Sequence, residues 1–368
     1  MTISRLAIQA VRNLSSVSFD PSPGFNFIYG KNGAGKSSVL EAIHMLGSGR
    51  SFRTHRHKQL IQYEQADFTI FAELERRNHH YRVGMKRTRS SEPEIRINGE
   101  STQRLAELVG LLPIQILTPD SPVLLTSGSK VRRQFLDWGL FYRQELFYPA
   151  WRRYARSLKQ RNALVRQQLP YRQVGPWEHD FVENGRLITQ MRTEFVAQLQ
   201  AALLTFTDQF LPGSDVELSY QSGWLASAAG NDDYQAQLQD HYDRDIKVGH
   251  TQLGPHRGGF KLKVDGVAAE ETCSRGQLKL LVAALLLAQG SLLSDSQGTS
   301  CIYLIDDFAA ELDEARRALL IECLIAIKSQ VFITATDELF VKQVRPQLEA
   351  AKRPFKLFHV ERGQLVTS

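Results

Sequence analysis

Cysteine is scarce in this chain of 368 residues, with three in all, at Cys273, Cys301 and Cys323. No two of them form a C-x-x-C pair, so neither a zinc site nor a disulfide framework is expected, and a reducing compartment fits. The N-terminus lacks the apolar region of a signal peptide. The longest apolar run, residues 280–288, is too short to span a bilayer, so a cytoplasmic protein with no membrane partner is expected. There is no internal repeat and no low-complexity tract. Neither sign of charge dominates: 45 Lys and Arg face 39 Asp and Glu, a net charge of +6 with a pI of about 9.2. That mild excess suits nucleic acid or an acidic surface as partner but decides little by itself. The 42% hydrophobic content is ample for one large core, or for a core plus a lobe.

What the chain does have is a strong motif near its start. Gly30-Lys31-Asn32-Gly33-Ala34-Gly35-Lys36-Ser37 reads G-x-x-x-x-G-K-S, the P-loop pattern. Its context is right. Residues 24–29 read as a buried strand entering the loop. Residues 38–46, from Ser38 onward, read as the helix leaving it, with Val39, Ala42, Ile43 and Leu46 on one face. The glycines let successive N–H groups point inward as an anion nest, and the helix adds the positive end of its dipole. In this pattern Lys36 reaches the β- and γ-phosphates of ATP and the Ser37 hydroxyl ligates Mg²⁺.

Read in order, Ile3, Leu6 and Ile8 mark a first strand, and Val17 and Phe19 a second. The turn between them carries Arg12 and Asn13, placed to lean over the nucleotide. A basic loop, residues 47–58, follows the P-loop helix and could grip phosphates of DNA or of the nucleotide. Residues 66–98 alternate polar and apolar and read as antiparallel strands, with a hairpin near Arg77–His80. The cations Arg76, Arg77, Arg82, Lys86, Arg87 and Arg89 make this sheet a candidate DNA-facing surface. From about residue 123 to 211 the pattern turns helical. One stretch, residues 151–168, is a basic amphipathic helix with Arg152, Arg153, Arg156, Lys159, Arg161 and Arg166, a further candidate for a phosphate backbone. Strands return at residues 216–220. The expected fold is therefore α/β: a discontinuous ATPase domain, 1–120 and 212–368, with a mainly helical insertion over 121–211.

The second half carries two further sites. Ser274-Arg275-Gly276-Gln277 opens a helix over 278–289, with Ser274 a good N-cap and Gly276 keeping the first turn open. A second anion-binding helix start is of use only if it serves a different molecule. Residues 302–307 are an apolar strand ending in Asp306 and Asp307. The first acid suits Mg²⁺ bound through water, and the second can orient or deprotonate an attacking water. Glu311-Leu312-Asp313 follows. Residues 331–336 read as another buried strand, ending beside Asp337.

P-loop, S-x-G-Q signature, Asp-Asp strand end and E-L-D together resemble the ABC-type ATPase head of SMC proteins, and more closely the RecF family of bacterial recombination mediators. Gly49–Arg53, Arg132–Trp138, Gly254-Pro255-His256-Arg257, residues 274–280 and residues 304–313, including Phe308, Ala309 and Ala310, carry the likeness. It runs almost end to end. The resemblance implies two subunits sandwiching two ATP molecules, with Ser274 and Gly276 of one capping the γ-phosphate held by Lys36 of the other. Asp306 would support Mg²⁺. Asp307 stands where most ABC ATPases carry glutamate and is one methylene shorter, so slow, DNA-dependent hydrolysis is expected. The implied partners are duplex and gapped DNA, RecR with RecO, and indirectly RecA, loaded on single-stranded gaps. The chain departs from the pattern at Cys273 (usually leucine), at Gly258-Gly259 (an acid in many relatives) and at Ala310 (commonly serine). No switch histidine follows the 331–336 strand, and Thr336 is the candidate substitute. A transporter nucleotide-binding subunit is the alternative; the missing histidine and the long separation of Ser37 from Ser274 oppose it. The insertion is too short for a long-armed SMC protein, and a small-molecule P-loop kinase leaves Ser274–Gln277 unexplained.

Overall fold

The computed structural model describes residues 1–76, 79–90, 92–225, 234–297, 300–307 and 311–367. The hairpin tip at Arg77 and Asn78, and Phe308, Ala309 and Ala310, lie outside them. The chain divides into two compact units: residues 1–121 with 290–368, and residues 122–289. Residues 212–289, expected in the discontinuous domain, cluster instead with the helices of 122–211. The reason is sheet pairing. The strand Val216–Gln221 pairs antiparallel with Gly259–Val264, which pairs with Val267–Ala268, and these three strands form a sheet of their own.

In the first unit, one six-stranded sheet carries the P-loop strand and the strand that leads to Asp306 and Asp307. Its order is Gln364–Thr367, Phe355–Glu361, Phe25–Tyr29, Gln330–Ala335, Ile302–Ile305, Ile114–Leu117. All neighbours are parallel except the first pair. Central parallel strands are covered on both faces, so they read as continuous apolar runs. Every residue of Phe25–Tyr29, Ile302–Ile305 and Gln330–Ala335 is buried. A second, antiparallel six-stranded sheet runs Leu14–Phe19, Thr2–Val11, Asp67–Arg76, His79–Thr88, Glu94–Ile97, Glu100–Thr102. Its alternation is the expected period of two, with Phe68, Ile70, Ala72 and Leu74 all buried. The P-loop helix Lys36–Ser48 shares one apolar core with both sheets.

Two buried amides are fully bonded, as burial demands. Gln330 donates to the carbonyls of Ile3 (2.9 Å) and Ser22 (2.8 Å) and accepts from the Ile3 amide at 2.7 Å, tying the two sheets together. Asn26 accepts from the Ser22 amide and donates back to its carbonyl, fixing the approach to the P-loop strand.

The second unit is built on helices Ser129–Arg143, Phe147–Arg166 and His179–Phe210. The helix Arg275–Gln297 runs from it into the first unit. Its stretch Arg275–Ser294 is long and apolar enough to cross a membrane, longer than the apolar run read from sequence. Most of it is buried inside the protein, as in a core helix.

Candidate nucleotide site

The P-loop strand delivers its glycines to the carboxyl end of the central parallel strands, where α/β sheets bind ligands. Gly30 and Gly35 are required there. Gly30 has φ +152° and a Cβ would lie 2.2 Å from the Val360 carbonyl oxygen. Gly35 has φ +122° and a Cβ would lie 2.8 Å from Leu14 Cδ2. Gly33 is also left-handed, at φ +80°, and open around its Cα. Lys31, Asn32 and Gly33 are exposed, while Ala34 and Ser38 are buried and Ser37 is half-buried. A cavity of about 500 Å³ runs along Lys31–Ala34 against His359–Glu361 at the end of the strand Phe355–Glu361 and Arg362 in the turn after it.

The helix that starts at Lys36 has no side-chain cap at Gly35, so its first N–H groups face an incoming anion. Lys36 is 5% exposed. Its ammonium donates to the carbonyls of Gly30 (2.8 Å) and Lys31 (3.3 Å), which holds the charge inside the cradle. Asn13 comes from the opening hairpin. Its Nδ2 donates to the Gly33 carbonyl at 2.9 Å and its Oδ1 accepts from the Ser38 hydroxyl at 3.0 Å. Arg12, at φ +55°, points elsewhere. It forks onto Glu41 at 2.9 and 2.8 Å and donates to the Gln59 carbonyl at 3.0 Å. Of the pair expected to lean over the nucleotide, Asn13 touches the loop and Arg12 anchors the turn that carries Asn13.

Two strands over, Asp306 and Asp307 stand at the end of Ile302–Ile305, with Gln330–Ala335 between them and the P-loop strand. Asp306 is 7% exposed. Burial pushes its carboxyl above the usual range, with Asp307 adding to the rise, while the Ser37 and Thr334 hydroxyls and Arg53 oppose it. Asp307 sits at φ +51°, a left-handed turn just past the strand. Thr334 organises both acids. Its hydroxyl accepts from the Asp307 amide at 2.8 Å and lies 3.1 Å from Asp306 Oδ1 and 3.3 Å from Asp307 Oδ1.

Among the described residues no cluster of three His, Cys, Asp or Glu could hold a metal by itself. The Ser37–Asp306 pair does fit Mg²⁺, which takes few protein oxygens and keeps its waters. A buried carboxylate bonded only by hydroxyls is the hard oxygen donor such an ion prefers.

Thr334 and Glu41 were not singled out from the sequence. Each is a buried polar residue on an element beside the motif, Thr334 on the strand Gln330–Ala335 and Glu41 on the P-loop helix. Thr336 is exposed at the strand end, with its hydroxyl 3.4 Å from Asp337 rather than on either acid. In the second unit Ser274-Arg275-Gly276-Gln277 forms a capping box. The Gln277 amide donates to Ser274 Oγ at 3.3 Å, and Gln277 Oε1 accepts from the Ser274 amide at 2.9 Å. Ser274 and Arg275 are exposed.

The candidate DNA surfaces fare differently. On the antiparallel sheet Arg82 pairs with Glu73 (3.4 Å) and Lys86 with Asp67 (3.2 Å), so acids on the next strand offset the cations. On the helix Phe147–Arg166, Arg152, Arg153, Arg156, Lys159 and Arg166 are exposed. Arg161 is 2% exposed and belongs to the core, paired at 2.6 Å with both Glu178 and Asp245. In the stretch Gly254–Arg257, Gly254 and Pro255 are buried, His256 is half-buried and Arg257 is exposed. The Pro255 carbonyl accepts from Arg192 at 2.6 Å, and His256 sits between Tyr154 and the Thr251 carbonyl.

A P-loop facing a two-acid strand end across a central parallel strand, with a capped signature helix in a second unit, defines an ABC/SMC-type P-loop ATPase head. The model of the RecF/RecN/SMC N terminal domain matches residues 2–363. The DNA replication and repair protein RecF of Shewanella loihica is 42% identical over 99% of both chains, and that of Shewanella pealeana 41% over the same shares. The chain belongs to the RecF family. Among solved structures, that of the recombination mediator protein RecF-ATP in the RecFOR pathway superposes with a TM-score of 0.88 at 22% identity, over 100% of this chain and 99% of that one. An Smc head bound to the C-winged helix domain of ScpA superposes at 0.61 and 14% identity, over 100% and 98%. At those identities the likeness shows the fold alone.

Proposed function

We propose that this protein binds ATP at the Gly30–Ser38 cradle, dimerises around two nucleotides, and in that state binds duplex and gapped DNA as a recombination mediator. The observation that carries the reading is the uncapped helix start at Lys36, with Ser37 hydrogen-bonded to Asp306. That is a polyphosphate seat with a cation-binding oxygen pair beside it. The named relatives, and a solved neighbour with ATP, support the choice of ligand and process.

In this reading the loop amides and Lys36 bind the phosphates, and Asn13 keeps the Gly33 carbonyl turned away from them. Ser37 and Asp306 would hold Mg²⁺, which when bound neutralises charge developing on the terminal phosphate. Asp307, oriented by Thr334, accepts a proton from the attacking water, and its short side chain makes turnover slow. The exposed Ser274–Gln277 helix start of a second copy caps the terminal phosphate. RecR with RecO, and RecA downstream, are the protein partners, reached from the DNA-bound dimer.

Molar mass by light scattering, with and without ATP and Mg²⁺, tests the reading, using Asp307→Asn to stall hydrolysis. A shift from monomer to dimer on ATP is expected. A monomer under all conditions, gapped DNA included, overturns it.

A further inference from the structure

We infer that Arg362 and His359, on the hairpin of strands Phe355–Glu361 and Gln364–Thr367, form the seat for the base of the bound nucleotide. The inference rests on the nucleotide reading above, which places the phosphates, and adds a place for the nucleoside.

Three observations carry it. First, direction. In the parallel sheet the P-loop strand has Gln330–Ala335 on one side, followed by Ile302–Ile305 with its two acids, and Phe355–Glu361 on the other. A nucleoside triphosphate is an extended molecule. With its terminal phosphate towards Asp306, its base lies away from the acids, on the Phe355–Glu361 side. There His359 pairs with Tyr29, the residue before Gly30, and the two rings stack at 5.0 Å and 28°.

Second, space. The cavity of about 500 Å³ between Lys31–Ala34 and the hairpin is of small-ligand size. Both walls belong to the first unit. The hairpin tip is fastened to the P-loop, because the Gly363 amide donates to the Ala34 carbonyl at 2.9 Å. The fit is close enough that a Cβ on Gly363 would lie 2.0 Å from the Asn13 carbonyl oxygen. Arg362 therefore projects from a fixed point beside the loop.

Third, residue type. Among the described residues three two-residue hairpin turns have both residues left-handed: Asn98-Gly99 (φ +52° and +89°), Asp265-Gly266 (+51° and +80°) and Arg362-Gly363 (+49° and +76°). The first two are the pairs that such a turn favours. Arginine lacks the short polar side chain that lets Asn and Asp bond locally in this conformation, so its presence at the third costs stability. Among the described residues nothing bonds or pairs with its guanidinium, and the side chain is exposed. A planar cation that stacks on π faces, beside the His359 ring at the mouth of the cavity, suits a nucleobase.

Calorimetric titration of the full chain with Mg²⁺ and either a non-hydrolysable ATP analogue or inorganic tripolyphosphate tests this, since tripolyphosphate has no base or ribose. Arg362→Asn installs the favoured turn pair, so the variant should melt no lower than wild type. It is expected to weaken the ATP analogue roughly 5- to 50-fold, the worth of stacking on a base, and to change tripolyphosphate less than about twofold. His359→Val, which suits a strand, should show the same selectivity. Equal losses for both ligands, no loss for either, or a wild type that binds tripolyphosphate as tightly as the analogue overturns the inference and leaves the phosphate site standing. Wild-type protein that binds neither ligand, or a Lys36→Ala variant that binds both normally, overturns the nucleotide reading itself and the base seat with it.

Discussion

Asn13 holds the Gly33 carbonyl at 2.9 Å from the far side of the P-loop, while its other amide atom takes the Ser38 hydroxyl at 3.0 Å. A carbonyl drawn outward this way leaves the loop's N–H groups to line the inside. Asn13→Ala removes both bonds from an exposed turn. Global stability should fall by less than about 1 kcal/mol, and nucleotide affinity by roughly 5- to 10-fold, each bond being worth about 1 kcal/mol. Titration alongside urea unfolding separates the two. Unchanged affinity would remove Asn13 from the site.

Ser274 has two candidate duties, capping its own helix and meeting a phosphate, and one substitution splits them. Aspartate caps a helix start as well as serine does, but its charge repels phosphate. Ser274→Asp should therefore keep the melting temperature within about 2 °C and lose ATP-dependent dimerisation, as read by light scattering. Ser274→Ala should lose about 1 kcal/mol of stability through the cap alone. A Ser274→Asp protein that still dimerises with ATP would confine Ser274 to its capping box.

The parts legible in the sequence are those in which local chemistry decides structure. Gly30, Gly33 and Gly35 admit one kind of loop, and Ser274 with Gln277 three residues on spells a capping box. The buried strands at 25–29, 302–305 and 330–335 read as apolar runs. What stayed hidden depends on strands far apart in the chain. Thr334 is one polar residue in a buried strand until parallel pairing with Ile302–Ile305 puts it against Asp306 and Asp307. The unit boundary hid for the same reason. Nothing local says that Val216–Gln221 pairs with Gly259–Val264 rather than with the ATPase sheets. Arg161 sits in a basic run and reads as a surface cation, yet the helix turns it inward between Glu178 and Asp245.

That turn makes Arg161 a strong stability prediction. It is 2% exposed and both carboxylates it serves are 1% exposed, with Thr251 also bonded at 2.7 Å. Arg161→Ala leaves two buried charges uncompensated, which costs about 3–5 kcal/mol. Arg152→Ala on the exposed face of the same helix should change stability by less than about 0.5 kcal/mol. Urea midpoints at constant slope give the comparison. Similar midpoints would contradict the buried pairing.

His256 gives stability a pH dependence. Its Nε2–H donates to the Thr251 carbonyl at 3.0 Å and its Nδ1 accepts from the Tyr154 hydroxyl at 2.6 Å, so the ring is held neutral. Burial lowers its pKa to about 4, with Arg257, Arg133 and Arg161 pushing the same way. A depressed pKa means the unfolded chain binds the proton more readily. The contribution is whole above about pH 6.5 and is lost as pH falls towards 4. Allowing for partial exposure it is on the order of 2 kcal/mol. His44 is lowered to about 4 as well and acts in the same window, while Asp137 and Asp306, raised by burial, act against both at its acid end. The difference between wild type and His256→Gln is therefore the readout. The variant should be less stable at pH 7.5, with the gap narrowing towards pH 4.5. A constant gap would mean that folding leaves the proton affinity of His256 unchanged.

The exposed face of the helix Phe147–Arg166 remains the best candidate for DNA, since its cations lack the acid partners found on the antiparallel sheet. Arg152, Arg153 and Arg156 lie within five residues, with no ion pair at any of them among the described residues, and Arg152 stacks on Tyr148 at 5.9 Å. If each neutralises one phosphate, binding releases about three counterions through them. Reversing all three to glutamate should then weaken duplex binding at 0.1 M salt by at least about 100-fold. It should also reduce the slope of log affinity against log salt by roughly 2.7. Reversing Arg82 and Lys86 on the sheet should cost far less, because Glu73 and Asp67 already offset them. Anisotropy titrations across a salt series measure both slopes. A slope that changes with the sheet pair and not with the helix triad would move the DNA site to the sheet.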